Sequence, residues 1–257
     1  MNPFALAKAV VEKRLSASTT TSAVEGTPFN ARIGSLITLK ASPFLRAFGS
    51  LTGTPSASQT VKSISKLHIP MNGNAHRLYT SRGDGADDSE EFLQIYSDAN
   101  GEAQELVYFR RLVRIYPQTE EEQRAYMGED SEGLGQTTFA LSLEQMQGIG
   151  WVAPMLRDSF GDADSLEYQR CAGDASIEFV APFRGTENRI DDASGEHGLH
   201  QEIVFMPYRR MLTGGSQEKL LVETEIVTDH DGDTNAREIH VDFMIGLVLS
   251  TLDVVVQ

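Results

Sequence analysis

The feature that most limits the fold is a succession of short apolar runs with a period of two. "HQEIVFMPYRRML" (200–212), "KLLVETEIVT" (219–228) and "REIHVDFMIGLVL" (237–249) are rich in β-branched and aromatic residues, and apolar positions alternate with polar ones or run on unbroken. The first half of the chain carries the same signal in "GSLITLK" (34–40), "SISKLHIP" (63–70), "AHRLYTS" (75–81), "EFLQIYSD" (91–98) and "ELVYFRRLVRIYP" (105–117). Pro117 closes the last of these, because it has no N–H to give a central ladder. "SLEYQRC" (165–171) and "ASIEFVAPF" (175–183) read as further strands, and "GTENRIDDASGEHG" (185–198) and "TGGSQE" (213–218) as polar connections.

Helix signals are fewer and shorter. Ser42 before Pro43, with Gly49 beyond, predicts a short helix over 42–49. Thr119 with Glu122, and Ser142 with Gln145, are capping boxes, and Gly128 fits a helix stop. Asn2 and Pro3 start a run in which Phe4, Ala7, Val11 and Leu15 form one apolar stripe, followed by the Ser/Thr-rich "SASTTTSA". The expected architecture is therefore α+β and β-dominated, with mostly antiparallel sheets and a few short helices. Residues 1–28 are expected to form an amphipathic N-terminal helix and a Ser/Thr-rich flexible linker. Residues 29–257 form a β-rich domain, with a division into two packed subdomains placed near 130–150.

Charge and cysteine count narrow the partners. A formal net charge of −15 repels phosphate backbones and anionic headgroups, so nucleic acid is not expected as a partner, and a membrane only indirectly, through the N-terminal helix. The single cysteine, Cys171, rules out an internal disulfide and fits a reducing compartment. No basic leader precedes an apolar run at the start, and the apolar stretch 243–256 is shorter than the ~20 residues of a spanning helix and is broken by Asp253. That stretch reads as one or two buried strands, and the expected location is cytoplasmic.

No assembled catalytic, cofactor or metal motif is legible. Asp229, Asp231 and Asp233 mimic the start of a calcium loop, but Thr234 stands where the bend needs glycine and His240 where a bidentate glutamate belongs. The segment reads as a hairpin connection. His197 and His200 are three apart among glycines, without an acidic or thiol partner at matched spacing. Cys171 follows Arg170, yet a lone cysteine in a strand reads as a small apolar residue. The arginine groups are the candidate anion or partner contacts: Arg110, Arg111 and Arg114 on one strand, Arg209 and Arg210 on another. Adjacent arginines on a strand point to opposite faces, so each pair offers one basic group per face.

Taken in order, "GSLITLKASPFL", "SKLHIP", "AHRLYTS", "FLQIYSD", "IYPQTEEEQRAYMG", "FMPYRRML" and "EKLLVETE" resemble the YjfK-like family of bacterial proteins, a domain of unknown function, over about residues 31–252. The chain differs from that pattern in the cysteine of "SLEYQRCAG" and in the insert "RGDGADDSE". The resemblance implies a bacterial protein whose gene neighbours belong to a membrane-stress system. The function expected is a non-catalytic cytoplasmic interaction or accessory protein with a protein partner and no cofactor. The alternative is a small-molecule enzyme or ligand sensor, with His, Arg and Glu side chains such as Arg114, Glu178 and His200 converging in a cleft.

Overall fold

The computed structural model describes residues 27–81, 90–151, 153–192, 198–228 and 237–257. Its strands are β1 (Leu36–Leu39), β2 (Ser58–His68), β3 (Asn74–Ser81), β4 (Glu91–Ser97), β5 (Ala103–Ile115), β6 (Thr138–Ser142), β7 (Ser165–Arg170), β8 (Phe183–Ile190), β9 (Gly198–Met211), β10 (Gln217–Thr228), β11 (Arg237–Leu249) and β12 (Val254–Val256). Among the described residues four short α-helices accompany them: α1 (Ser42–Arg46), α2 (Glu120–Tyr126), α3 (Leu143–Gly148) and α4 (Ala153–Phe160). Both capping boxes form. Thr119 accepts from Glu122 N at 3.1 Å, and Ser142 accepts from Gln145 N at 3.1 Å.

The β-dominated, antiparallel reading stands, and the strands close on themselves. The path β2-β3-β4-β5-β11-β10-β9 is joined back to β2 through β8, giving an antiparallel barrel of eight strands. Beyond the closure, β1 and β12 extend the sheet from the first half of β2, and β7 and β6 extend it from the second half of β9. The barrel takes strands from both sides of residues 130–150, while β6, α3 and α4 lie against its outer wall.

The closing strand is where the sequence reading needs correction. Residues 185–198 read as a connection, yet 185–190 belong to β8, and Ile64–His68 and Gly198–Phe205 bond to its two edges. Its alternate positions Gly185, Glu187 and Arg189 are not apolar, so the strand lacks the usual hydrophobic signature. Gly185 is needed for closure, because a β-carbon there would lie 2.4 Å from the His68 carbonyl oxygen. Conversely, 175–181 form no strand beyond an isolated bridge between Gln136 and Phe179. Arg170 gathers that segment instead, donating to the carbonyls of Gly135, Ala172, Asp174, Ile177 and Glu178. Helix α4 and strand β6 had no counterpart in the sequence reading. The N-terminal helix and the aspartate loop 229–236 lie outside the described residues. The strands flanking that loop pair antiparallel as far as Thr228 and Arg237.

Two apolar layers cover the outer wall. Leu141, Met146, Leu156, Phe160 and Tyr168 pack on the outward side chains of β9, β10 and β11, such as Met206, Val222 and Phe243. Ile37, Phe44 and Val254 pack on those of β2 to β5, such as Ile64, Leu78 and Ile95. The remaining sector, around β8, turns Lys66, Asn188 and His200 to solvent. Among the described residues no helix is long and apolar enough to cross a membrane. The covered and polar sectors also differ from the apolar outer band of a membrane-spanning barrel.

Candidate functional site

Eight strands leave a bore that side chains can fill, or that can hold one small ligand. Here it does some of each. Among the described residues strand β3 bonds only to β2 and β4, yet Arg77 on β3 reaches β8 and β10, so its side chain crosses the interior. Its guanidinium donates to Glu223 at 2.7 and 2.5 Å, to Glu187 at 2.9 Å and to Gln94 at 2.9 Å, and stacks 4.8 Å from the centre of the Phe92 ring. Tyr79 donates to Glu187 at 2.6 Å, and Gln201 to the same carboxylate at 3.2 Å. The side chains of Arg77, Glu187 and Glu223 are at most 2% exposed. This network plugs the centre of the barrel.

The plug's charges perturb one another. Burial alone would lower the Arg77 guanidinium, but Glu187 and Glu223 outweigh it, and Arg77 stays charged well above its ordinary range. Burial is also the largest influence on Glu223 and pushes its carboxyl up to about 7. Arg77 pulls it back, and Glu225 and Glu187 add to the rise. One guanidinium shared by two carboxylates leaves a surplus negative charge, which protonation of Glu223 relieves. Tyr79 is raised by burial and then by Glu187, so it remains a hydroxyl donor.

On one side of the plug the bore is polar. Arg114 grips Asp242 with two bonds, at 2.7 and 2.5 Å, and lies 3.6 Å from Glu225, which meets His240 Nε2 at 2.6 Å. Arg111 bonds Glu90 at 3.3 Å. Burial, and then Glu225 and Asp242, raise the Glu90 carboxyl. Two acidic clusters here have metal-like spacing: Glu225, His240 and Asp242, and Glu187, Glu223 and Glu225. In each a guanidinium already lies against the carboxylates, Arg114 in the first and Arg77 in the second. A metal ion would have to expel a bidentate arginine.

On the other side the bore opens as a cavity of about 330 Å³. Ile69, Tyr96, Phe183, Phe205 and Pro207 make its apolar wall. Phe183 and Phe205 stack at 5.3 Å, and the Tyr96 hydroxyl accepts from Gln94, tying the floor to the plug. Glu105, Cys171 and Lys219 contribute the polar groups. Lys219 Nζ lies 3.4 Å from Glu105 Oε1 and 3.9 Å from Cys171 Sγ. Burial pushes the Cys171 thiol up, against the pull of Lys219 and Arg209.

The structure disperses the sequence-selected arginines. Arg111 and Arg114 line the polar part of the bore. Arg110 points outward, donating to the Thr52 carbonyl at 3.1 Å and lying over Trp151. Arg210 also points outward, bonding Glu218 at 2.7 Å and Gly49 O at 2.6 Å. Glu218, fully buried, also accepts from Ser50, Leu51 N and Tyr168, so this pair anchors the segment after α1. Arg209 is exposed beside Cys171. Of the three groups expected to converge in a cleft, Arg114 is in the bore. His200 lies on the outer wall against Asn188, and Glu178 lies in the loop held by Arg170.

Sequence reasoning missed Arg77, Glu187 and Glu223. For Arg77 and Glu223 the signal was a charged residue on the same strand face as apolar neighbours: Arg77 between Ala75 and Tyr79, and Glu223 beyond Leu221. The chain matches no protein-family model, no curated protein and no solved structure at a significant level.

Proposed function

We propose that this chain is a non-catalytic binding protein that holds a small, largely apolar molecule in the open mouth of its barrel. The observation carrying this reading is the asymmetry of the bore. An ionic plug closes its centre, and beyond the plug lies a concave mouth with a stacked aromatic wall and a few polar groups. A volume of about 330 Å³ is at the small end of ligand sites, and an apolar lining with few polar groups is their usual make-up. The test is a thermal-shift screen of single-ring organic compounds on the wild type and on Cys171→Trp, whose indole fills the mouth. Stabilisation of the wild type that Cys171→Trp abolishes, with the variant still folded by circular dichroism, supports the proposal. A blank panel, or hits that Cys171→Trp leaves unchanged, overturns it.

A second reading, a protein partner, is favoured by exposed apolar residues near the end of α1. Leu45 is 64% exposed, Phe48 71% and Met211 64%, and Phe48 bridges to Thr213. Phe48→Glu abolishing a partner found by affinity purification supports this reading, and unchanged capture removes it. The order of short motifs shared with the YjfK-like pattern, together with the single cysteine, supports placing either role in a bacterial cytoplasm beside a membrane-stress system.

A further inference from the structure

Building on the small-molecule reading of the mouth, we infer that its ligand is a single-ring or branched monocarboxylate, whose carboxylate takes the place of Glu105 on Lys219. A buried ammonium is costly unless its donors are satisfied. Lys219 is 8% exposed, and a desolvated lysine carries three donors that need acceptors. Its carboxylate partner lies across a loose gap, with Glu105 oxygens at 3.4 and 3.5 Å, and its other neighbour is a thiol sulfur at 3.9 Å. Charge-assisted N–H···O bonds normally close to about 2.7–2.9 Å. The Glu105 side chain is 40% exposed against 10% for Lys219, so the acid sits at the rim and the base within. Glu105 can rotate into water at little cost, whereas Lys219 cannot leave without crossing the apolar wall.

Glu105 is the only acid among the described residues lining this cavity. An incoming carboxylate would therefore meet one buried positive charge and one displaceable negative one. The rest of the wall sets the body of the ligand. Tyr96, Phe183 and Phe205 offer ring faces, and Ile69 and Pro207 offer aliphatic surface. The Tyr96 hydroxyl is turned to Gln94, and burial holds it protonated, so it adds no second anion to the floor. The volume suits one ring with a short tail rather than a nucleotide.

The probes are 3-phenylpropionate and its uncharged amide, 3-phenylpropionamide, titrated calorimetrically into the intact chain. The acid should bind about tenfold or more tightly than the amide, a difference of roughly 1.4 kcal/mol. Glu105→Gln should tighten the acid and leave the amide unchanged. Lys219→Met should reduce the acid to the affinity of the amide, with unfolding curves confirming that the variant is folded. Glu105→Gln lies at the rim and tests the inference independently if Lys219→Met fails to fold. Equal affinities for acid and amide, or a Glu105→Gln variant that weakens the acid, overturn the carboxylate assignment and leave the mouth reading standing. Binding of neither probe while other compounds still stabilise the protein overturns this inference alone. If the compound panel is blank as well, both readings fall.

Discussion

Arg77 and Lys219 are both buried cations on strands of the same barrel, yet they are held very differently. Arg77 has two carboxylates within 2.9 Å, a glutamine on its Nε and an aromatic ring against its face. Lys219 has one rim carboxylate at 3.4 Å and a sulfur. The difference shows what makes a buried charge part of the fold. A planar five-donor fork surrounded by buried acceptors is satisfied by its own chain, so nothing from outside can compete for it. A point charge whose acid partner faces water remains open to exchange. The same barrel can thus be sealed at its centre and receptive at one end.

Removing the central cation should have the largest effect. Arg77→Met leaves Glu187 and Glu223 facing each other without a counter-charge, and should cost about 3–5 kcal/mol in denaturant unfolding. Arg77→Met combined with Glu187→Gln and Glu223→Gln should recover part of that loss. If the single variant unfolds like a surface substitution, the plug is not a structural element.

Next in size are the pH effects. Glu223 is raised in the fold to about 7, above its ordinary 4.5, so the folded state binds a proton there that the unfolded state has released. Stability from this group therefore falls as pH rises from about 4.5 through 7, by on the order of 1–3 kcal/mol. His76 works the other way. Burial, then Lys66 and His68, lower it to about 4 from 6.5, so the unfolded state binds the proton first, and stability falls as pH drops from 6.5 towards 4. The two slopes oppose each other in the wild type. Melting curves across this range should show Glu223→Gln losing stability only on the acid side, and His76→Gln losing it only on the alkaline side. Variants with unchanged profiles would contradict the assignment of both groups.

The smallest effect is expected at the rim. Glu105→Gln should change unfolding free energy by about 1 kcal/mol, because Glu105 is 40% exposed and the glutamine oxygen can still accept from the buried Lys219. A loss comparable with that of Arg77→Met would mean that the mouth is as closed as the centre, and the contrast would fail.

Where the sequence was legible and where it was not follows the same division. Strands whose two faces both meet apolar partners, such as β5 and β11, announce themselves as Leu, Val, Phe and Ile runs. Capping boxes at Thr119 and Ser142 are local, and they form as read. Strand β8 was illegible because its inward positions answer to Arg77, more than a hundred residues earlier, and its outward positions meet water. No local pattern records that Glu187 is needed opposite Arg77. The arginines at 110, 111, 114, 209 and 210 were visible as residue types, but which of them faces the bore depends on closure and on the β5 irregularity opposite Phe243 and Met244. The mouth itself joins residues 69, 96, 105, 171, 183, 205 and 219, which only the closed barrel brings together.

The measurement that tests the receptive mouth most directly uses Cys171, the chain's only cysteine, which lies in the cavity wall. Its rate of reaction with a small thiol reagent should be followed in the native protein with and without 3-phenylpropionate. The acid should slow labelling in a saturable way, with a midpoint matching the calorimetric affinity. A labelling rate unchanged at saturating acid, despite measurable binding, would place the ligand elsewhere and contradict the account.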